Sequence, residues 1–146
     1  MKTEQLSIFL ENKPGRLAAV IAALAENNIN LRALALADTL EFGVLRLIVD
    51  RPAEAREALN KLGFRAQVTE VLAVEVPDKP GGLARVLNAL AEAGINVEYM
   101  YAFAGQLKVG GAVVILRLDN IDGGLKAIPP DTGRVIPKDE LYQHQG

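Results

Sequence analysis

Asn12-Lys13-Pro14-Gly15-Arg16-Leu17 returns later in the chain as Asp78-Lys79-Pro80-Gly81-Gly82-Leu83, and this pair of stretches decides how the rest is read. Each closes an alternating apolar run, Leu6, Ile8, Leu10 before the first and Leu72, Val74, Val76 before the second, and each opens a helical pattern. Each is therefore a strand-to-helix turn. Proline is well placed in the first turn of a helix, because its missing N–H would have had no intrahelical acceptor there, and the glycine after it keeps bulk away from the backbone. The N–H groups of Gly15, Arg16 and Leu17, and of Gly81, Gly82 and Leu83, are then expected to point outward. With the positive end of the helix dipole behind them they suit a small carboxylate.

The recurrence extends beyond the turn. Offset by 66 positions (Lys79 against Lys13), Glu11 to Leu31 aligns with Pro77 to Val97, and twelve of the twenty-one pairs are identical, among them Ala18/Ala84, Val20/Val86, Leu24/Leu90, Glu26/Glu92, Ile29/Ile95 and Asn30/Asn96. Such identity marks a tandem duplication of units about seventy residues long, near the lower size at which a domain folds alone. The boundary is set at residues 1–70 and 71–146, with the second copy divergent after about residue 119.

Within the first unit, Thr3 to Leu10 alternates as a strand, and Leu17, Val20, Ile21 and Leu24 make one stripe of a helix over Pro14 to Asn27. Leu31 to Ala37 and Phe42 to Val49 read as antiparallel neighbours joined by a polar turn. Pro52 starts a second helix that Gly63 ends, and Arg65 starts a fourth strand that runs into the first strand of the next unit. The second unit repeats this with Pro80 to Ala93 as helix and Val97 to Ala104 and Ala112 to Leu118 as strands, its hairpin loop lengthened through Gly105 to Gly111. Beyond Asn120, Gly123-Gly124 weakens the expected helix, Pro129-Pro130 stops it, and Arg134 to Ile136 is a short last strand. The fold class is α+β: two tandem ferredoxin-like βαββαβ units, each an antiparallel four-stranded sheet with both helices on one face. The other face is expected to be bare and apolar, since Tyr99, Tyr101 and Phe103 share one side of a strand and Ala112 to Leu118 is apolar on both sides apart from Arg117. A homodimer is the simplest cover for it.

Composition removes several classes of function. Lysine and arginine number 16 against 18 acidic residues, with no run of either sign, so no nucleic-acid partner is implied. Cysteine is absent, which excludes disulfides, thiol catalysis and cysteine-rich metal sites. The N-terminus, Met1-Lys2-Thr3-Glu4-Gln5, is polar and no apolar run spans a bilayer, so a cytoplasmic protein without membrane contact is expected. There is no phosphate loop, no His or Cys cluster and no carboxylate pair placed for acid and base work, so no enzyme and no cofactor is nominated. The lone His144 belongs to a terminal tail.

Two units in tandem, each with Pro-Gly-x-Leu after its first strand and Ile-Asn after its first helix, resemble the ACT domain family of small-molecule sensors. Leu6 to Leu17 and Glu98-Tyr99-Met100-Tyr101-Ala102-Phe103 are similar to free-standing bacterial tandem ACT proteins. The resemblance implies a free amino acid bound where the first-strand turn of one unit faces a neighbouring unit, with binding altering assembly or a partner enzyme. It makes the residue two before the proline the principal side-chain contact, Asn12 in the first copy and Asp78 in the second. Asn12 offers donor and acceptor to a zwitterion, whereas Asp78 would repel a carboxylate. Serine-sensing dehydrogenases of the family carry histidine two residues earlier, where this chain has Leu10 and Val76.

The ligand-binding set is Asn12, Lys13, Pro14, Gly15, Arg16, Leu17, Asp78, Gly81, Gly82, Leu83, Tyr99 and Tyr101, with the first turn as the main site. Structural readings stand beside these. Asn12 also suits capping of the helix, Arg16 suits either a forked pair with a carboxylate or a solvated charge, and the tyrosines suit an interface. The function read here is a non-catalytic amino-acid sensor. The alternative is a regulatory subunit that docks a metabolic enzyme, like that of acetolactate synthase, without its own ligand.

Overall fold

The computed structural model describes residues 2–38, 42–102 and 111–143. Phe103, the glycine-rich loop from Gly105 and His144 therefore lie outside the described residues. The elements in order are β1 (Thr3–Glu11), α1 (Arg16–Glu26), β2 (Leu31–Asp38), β3 (Phe42–Val49), α2 (Pro52–Lys61), β4 (Arg65–Val76), α3 (Gly82–Glu92), β5 (Val97–Ala102), β6 (Ala112–Leu118), α4 (Ile121–Ala127), β7 (Arg134–Val135) and α5 (Lys138–Gln143). The fold is α+β with antiparallel pairing, as the strand and helix periodicities predict.

Two compact units are present, one of residues 4–69 and one of residues 1–3 with 70–146. Strand β4 is unbroken from Arg65 to Val76, so the expected direct run from the last strand of one repeat into the first of the next is present. In the unit of residues 4–69 the strand order is β2-β3-β1-β4, the ferredoxin-like order. Leu6, Ile8 and Leu10 of β1 and Leu45, Leu47 and Val49 of β3 face Val20, Ala23 and Leu24 of α1 and Ala55 and Leu59 of α2, forming one core. The other unit repeats the order as β5-β6-β4-β7, with Leu72, Val74 and Val76 packed with Val86, Leu90, Val114, Leu116 and Ile128.

Both first helices end alike. Asn28 (φ 57°) and Gly94 (φ 72°) take the left-handed conformation, and Ile29 N and Ile95 N donate to Leu24 O and Leu90 O, each at 2.9 Å. Asn30 N then bonds Asp50 Oδ1 at 3.0 Å, and Asn96 N bonds Asp119 Oδ1 at 2.9 Å. The shared Ile-Asn dipeptide is thus a helix stop and a strand entry.

Three expectations are corrected. Gly123 and Gly124 lie inside α4, which Asn120 caps by accepting from Gly123 N at 2.9 Å. A Cβ on Gly124 would stand 2.3 Å from Leu118 Cδ1, so the missing side chain lets α4 press on β6, and close packing outweighs poor helix propensity. An unforeseen helix, α5, follows β7. The face away from the helices is not bare throughout: Ala33, Ile48, Val71, Ala73 and Ile115 are wholly buried, while Phe9 and Phe42 stay about half exposed. Strand β6 is covered on both faces, which its two-sided apolar composition already suits.

Candidate functional site

The duplicated stretch builds the same backbone twice. Lys13 N donates to Glu11 O at 2.9 Å and Arg16 N to Lys13 O at 3.3 Å; Lys79 N donates to Pro77 O at 2.9 Å and Gly82 N to Lys79 O at 3.1 Å. Gly15 and Gly81 take φ 87° with ψ −13° and −11°. Proline followed by a left-handed glycine, closed by a bond from the fourth residue to the first, is a type II turn. Pro14 and Pro80 therefore stand two residues before the helix, which begins at Arg16 and at Gly82. The placement of proline within the first helical turn is corrected by this geometry. So is the trio of outward N–H groups, because those of Arg16 and Gly82 close the turn. The N-cap residues are the glycines Gly15 and Gly81, which have no side chain to cap with, and among the described residues Asn12 does not take the capping role. An α-helix leaves its first amides without intrahelical acceptors.

Side chains differ between the copies. Glu11 binds Lys13 Nζ and Arg16 Nη2, each at 3.0 Å, and these two cations hold its carboxyl below the ordinary carboxylate range, the Lys13 hydrogen bond foremost. Arg16 is thus already engaged, which narrows its role as a free fork for a carboxylate. In the second copy Pro77 replaces Glu11 and Gly82 replaces Arg16. A Cβ on Gly82 would stand 2.1 Å from Pro77 O, so that helix start admits no side chain.

Asn12, Lys13, Pro14 and Gly15 are exposed, as are Asp78 and Gly81, while Gly82 is buried. Leu17 and Leu83 are half-buried and pack on the two cores. Tyr99 and Tyr101 are not at the second turn, the one in their own unit. They lie on β5, opposite Arg117 and Ile115 of β6, with β6 between them and the strand that leads into the second turn.

A cleft of about 420 Å³ opens beside the first turn. Glu11 and Arg16 contribute its charged edge, Phe9, Leu10, Phe42 and Phe64 its apolar wall, and Gly63 and Arg65 its far side. Asn12 is not part of its lining. The corresponding cleft of the second unit, about 390 Å³, is lined by Glu75, Val76, Pro77, Gly111 and the Pro130–Arg134 segment. Sequence reasoning missed Phe9, Phe42, Phe64 and Arg65. The available signal was pairing register, since Phe42 sits opposite Glu11 in the β1–β3 ladder. Among the described residues no group of three His, Cys, Asp or Glu is placed to hold a metal ion, and no helix is long and apolar enough to cross a membrane.

Residues 1–142 match the family described as an ACT domain pair. The chain belongs to the ACT domain family. ACT domains are a regulatory, amino-acid-binding type of domain, and this pair is similar to protein BT0572 from Bacteroides thetaiotaomicron, at 40% identity and TM-score 0.90 over 99% of this chain and 98% of that one. The regulatory subunit of aspartate kinase from Thermus thermophilus, in its ligand-free form, shares the fold at 24% identity and TM-score 0.60, covering 85% of this chain and 88% of that one. The regulatory subunit of aspartate kinase from Thermus flavus does so at 20% identity and TM-score 0.58, over 85% and 88%. No match was found among curated proteins.

Proposed function

We propose that this ACT pair is a non-catalytic, cytoplasmic sensor of a free amino acid, held at the strand-to-helix turns and chiefly at the first. One observation carries the reading. The same type II turn and the same uncapped helix start are built twice, in a family of regulatory amino-acid-binding domains. The ligand's carboxylate faces the amides at the start of α1, and Asn12 supplies a donor and an acceptor to its two charged ends. Charge-assisted hydrogen bonds of about 1.5–3 kcal/mol each, less the cost of immobilising the ligand, give micromolar to millimolar affinity. Binding favours whichever arrangement completes the site, and so shifts assembly or a partner enzyme's activity.

A second reading has its own observation. Leu34 and Leu36, 45% and 51% exposed on β2 at the end of the strand order, offer an apolar edge to a second copy or to a metabolic enzyme. In that reading the protein docks its partner without a ligand. Scanning calorimetry of the full chain with each of the twenty amino acids separates the two. The sensor gains about 2.7 kcal/mol from its ligand at a hundredfold excess over Kd. A docking module gains nothing from any of them.

A further inference from the structure

The two clefts occupy one place in the two repeats. Phe9 pairs with Val44 as Glu75 pairs with Val113, which sets Phe42 in register with Gly111. Arg65 opens β4 as Arg134 opens β7. In the second repeat this arginine is satisfied from within the chain. Arg134 Nε donates to Glu75 Oε1 at 3.3 Å, and its terminal nitrogens donate to the two oxygens of Glu140, on α5, at 3.1 and 3.0 Å. Glycine makes this possible, since a Cβ on Gly111 would stand 2.8 Å from Glu75 Cγ.

The first repeat keeps the arginine and drops its carboxylates. Phe9 stands where Glu75 stands, β4 runs on with no counterpart of α5, and Arg65 is exposed and forms no ion pair among the described residues. Phe42 and Phe64 replace Gly111 and Gly133. Phe9 and Phe42 stay 49% and 51% exposed, so the cleft has an aromatic wall that is half open among the described residues. A guanidinium presents its donors in a fork that fits a carboxylate, and the cleft's volume lies in the range of small-molecule sites.

We propose that the cleft of the first repeat binds an external carboxylate bearing a bulky apolar group, the class of an amino acid with a large apolar side chain. The carboxylate takes on Arg65 the place that Glu75 takes on Arg134, and the apolar group lies among Phe9, Phe42 and Phe64. The second cleft is closed to such a ligand by its own acidic residues. This carboxylate site is separate from the turn amides of the sensor reading: the pairing of Arg65 with a carboxylate rests on the internal comparison alone, and only the choice of an amino acid to carry that carboxylate rests on the sensor reading.

Isothermal titration of the full chain at neutral pH with phenylalanine, 3-phenylpropionate and phenethylamine tests this. The first two bind and phenethylamine, which lacks the carboxylate, does not. Arg65→Ala weakens both at least about tenfold. Phe9→Glu, which recreates the Glu75–Arg134 pair in the first repeat, abolishes binding with an unchanged circular dichroism spectrum. Equal binding of phenethylamine, indifference to both substitutions, or no binding by any of the three overturns the inference. A small polar amino acid bound with undiminished affinity by Arg65→Ala, with none of the three probes bound, defeats the cleft and spares the sensor reading. Binding of 3-phenylpropionate through Arg65 with no amino acid bound does the reverse.

Discussion

Gly82→Ala is the substitution for which the structure gives the sharpest expectation. Its φ lies outside the left-handed region, so the whole effect is steric. The new methyl carbon would stand 2.1 Å from Pro77 O and 3.1 Å from Pro77 C, where an unstrained contact needs about 3.4 Å or more. The carbonyl cannot swing away freely, because it accepts from Lys79 N at 2.9 Å, and Lys79 O in turn accepts from Gly82 N. Relieving the clash costs about 1–3 kcal/mol of overpacking strain and up to about 1 kcal/mol for a weakened turn bond, offset by about 1 kcal/mol of helix propensity gained by alanine. A net loss of up to about 3 kcal/mol lowers the melting midpoint by up to roughly 12 °C in a chain of this size. Calorimetry of Gly82→Ala beside Arg16→Ala, the same position in the first repeat, supplies the control. Arg16→Ala moves the midpoint by no more than about 2 °C, since it removes an exposed side chain and its surface pair with Glu11. Equal midpoints for the two variants would refute the packing argument at the second turn.

Gly15→Ala and Gly81→Ala meet no atom within 4 Å but force φ 87° on alanine, so each costs about 1–2 kcal/mol in urea unfolding, and asparagine costs less than alanine at both. Asn120→Ala removes the cap of α4 and lowers stability by about 0.5–2 kcal/mol, with aspartate restoring most of it. Glu11 has a lowered carboxyl pKa, so its pairing with Lys13 and Arg16 stabilises the fold above the ordinary carboxylate value and is lost as pH falls through the depressed one. Glu11→Gln accordingly flattens that part of the acid limb of the melting curve. A limb unchanged by Glu11→Gln removes that pairing from the stability account.

Much of the fold was legible because it was written twice. Pro-Gly after an alternating run, and Ile-Asn after a helical stripe, marked turn and stop in each copy, and the hydrophobic period supplied the elements between them. The error at Pro14 and Pro80 came from a real ambiguity, since proline suits both the first helical turn and the second place of a β-turn. The left-handed φ of the next glycine, not readable locally, selects the turn. Gly123 and Gly124 misled because helix propensity is a local quantity, while contact with Leu118 is a tertiary one.

The cleft beside the first turn was illegible for a similar reason. Phe9, Phe42 and Phe64 are far apart in sequence and share a wall only through strand register. Burial of Ala73 and Ile115 on the sheet face away from the helices could not be foreseen from alternation, which identifies faces but not what covers them.

The central claim is that the duplicated helix starts receive an amino acid. Backbone amide spectra of the full chain, labelled with nitrogen-15 and titrated with the amino acid that gives the largest thermal response, test it most directly. An amino acid held at these helix starts produces saturable shifts of the Gly15 and Leu17 amides that weaken in Asn12→Ala more than in Asp78→Ala. Saturable binding that leaves both amides unmoved, or an equal or reversed effect of the two substitutions, would contradict it.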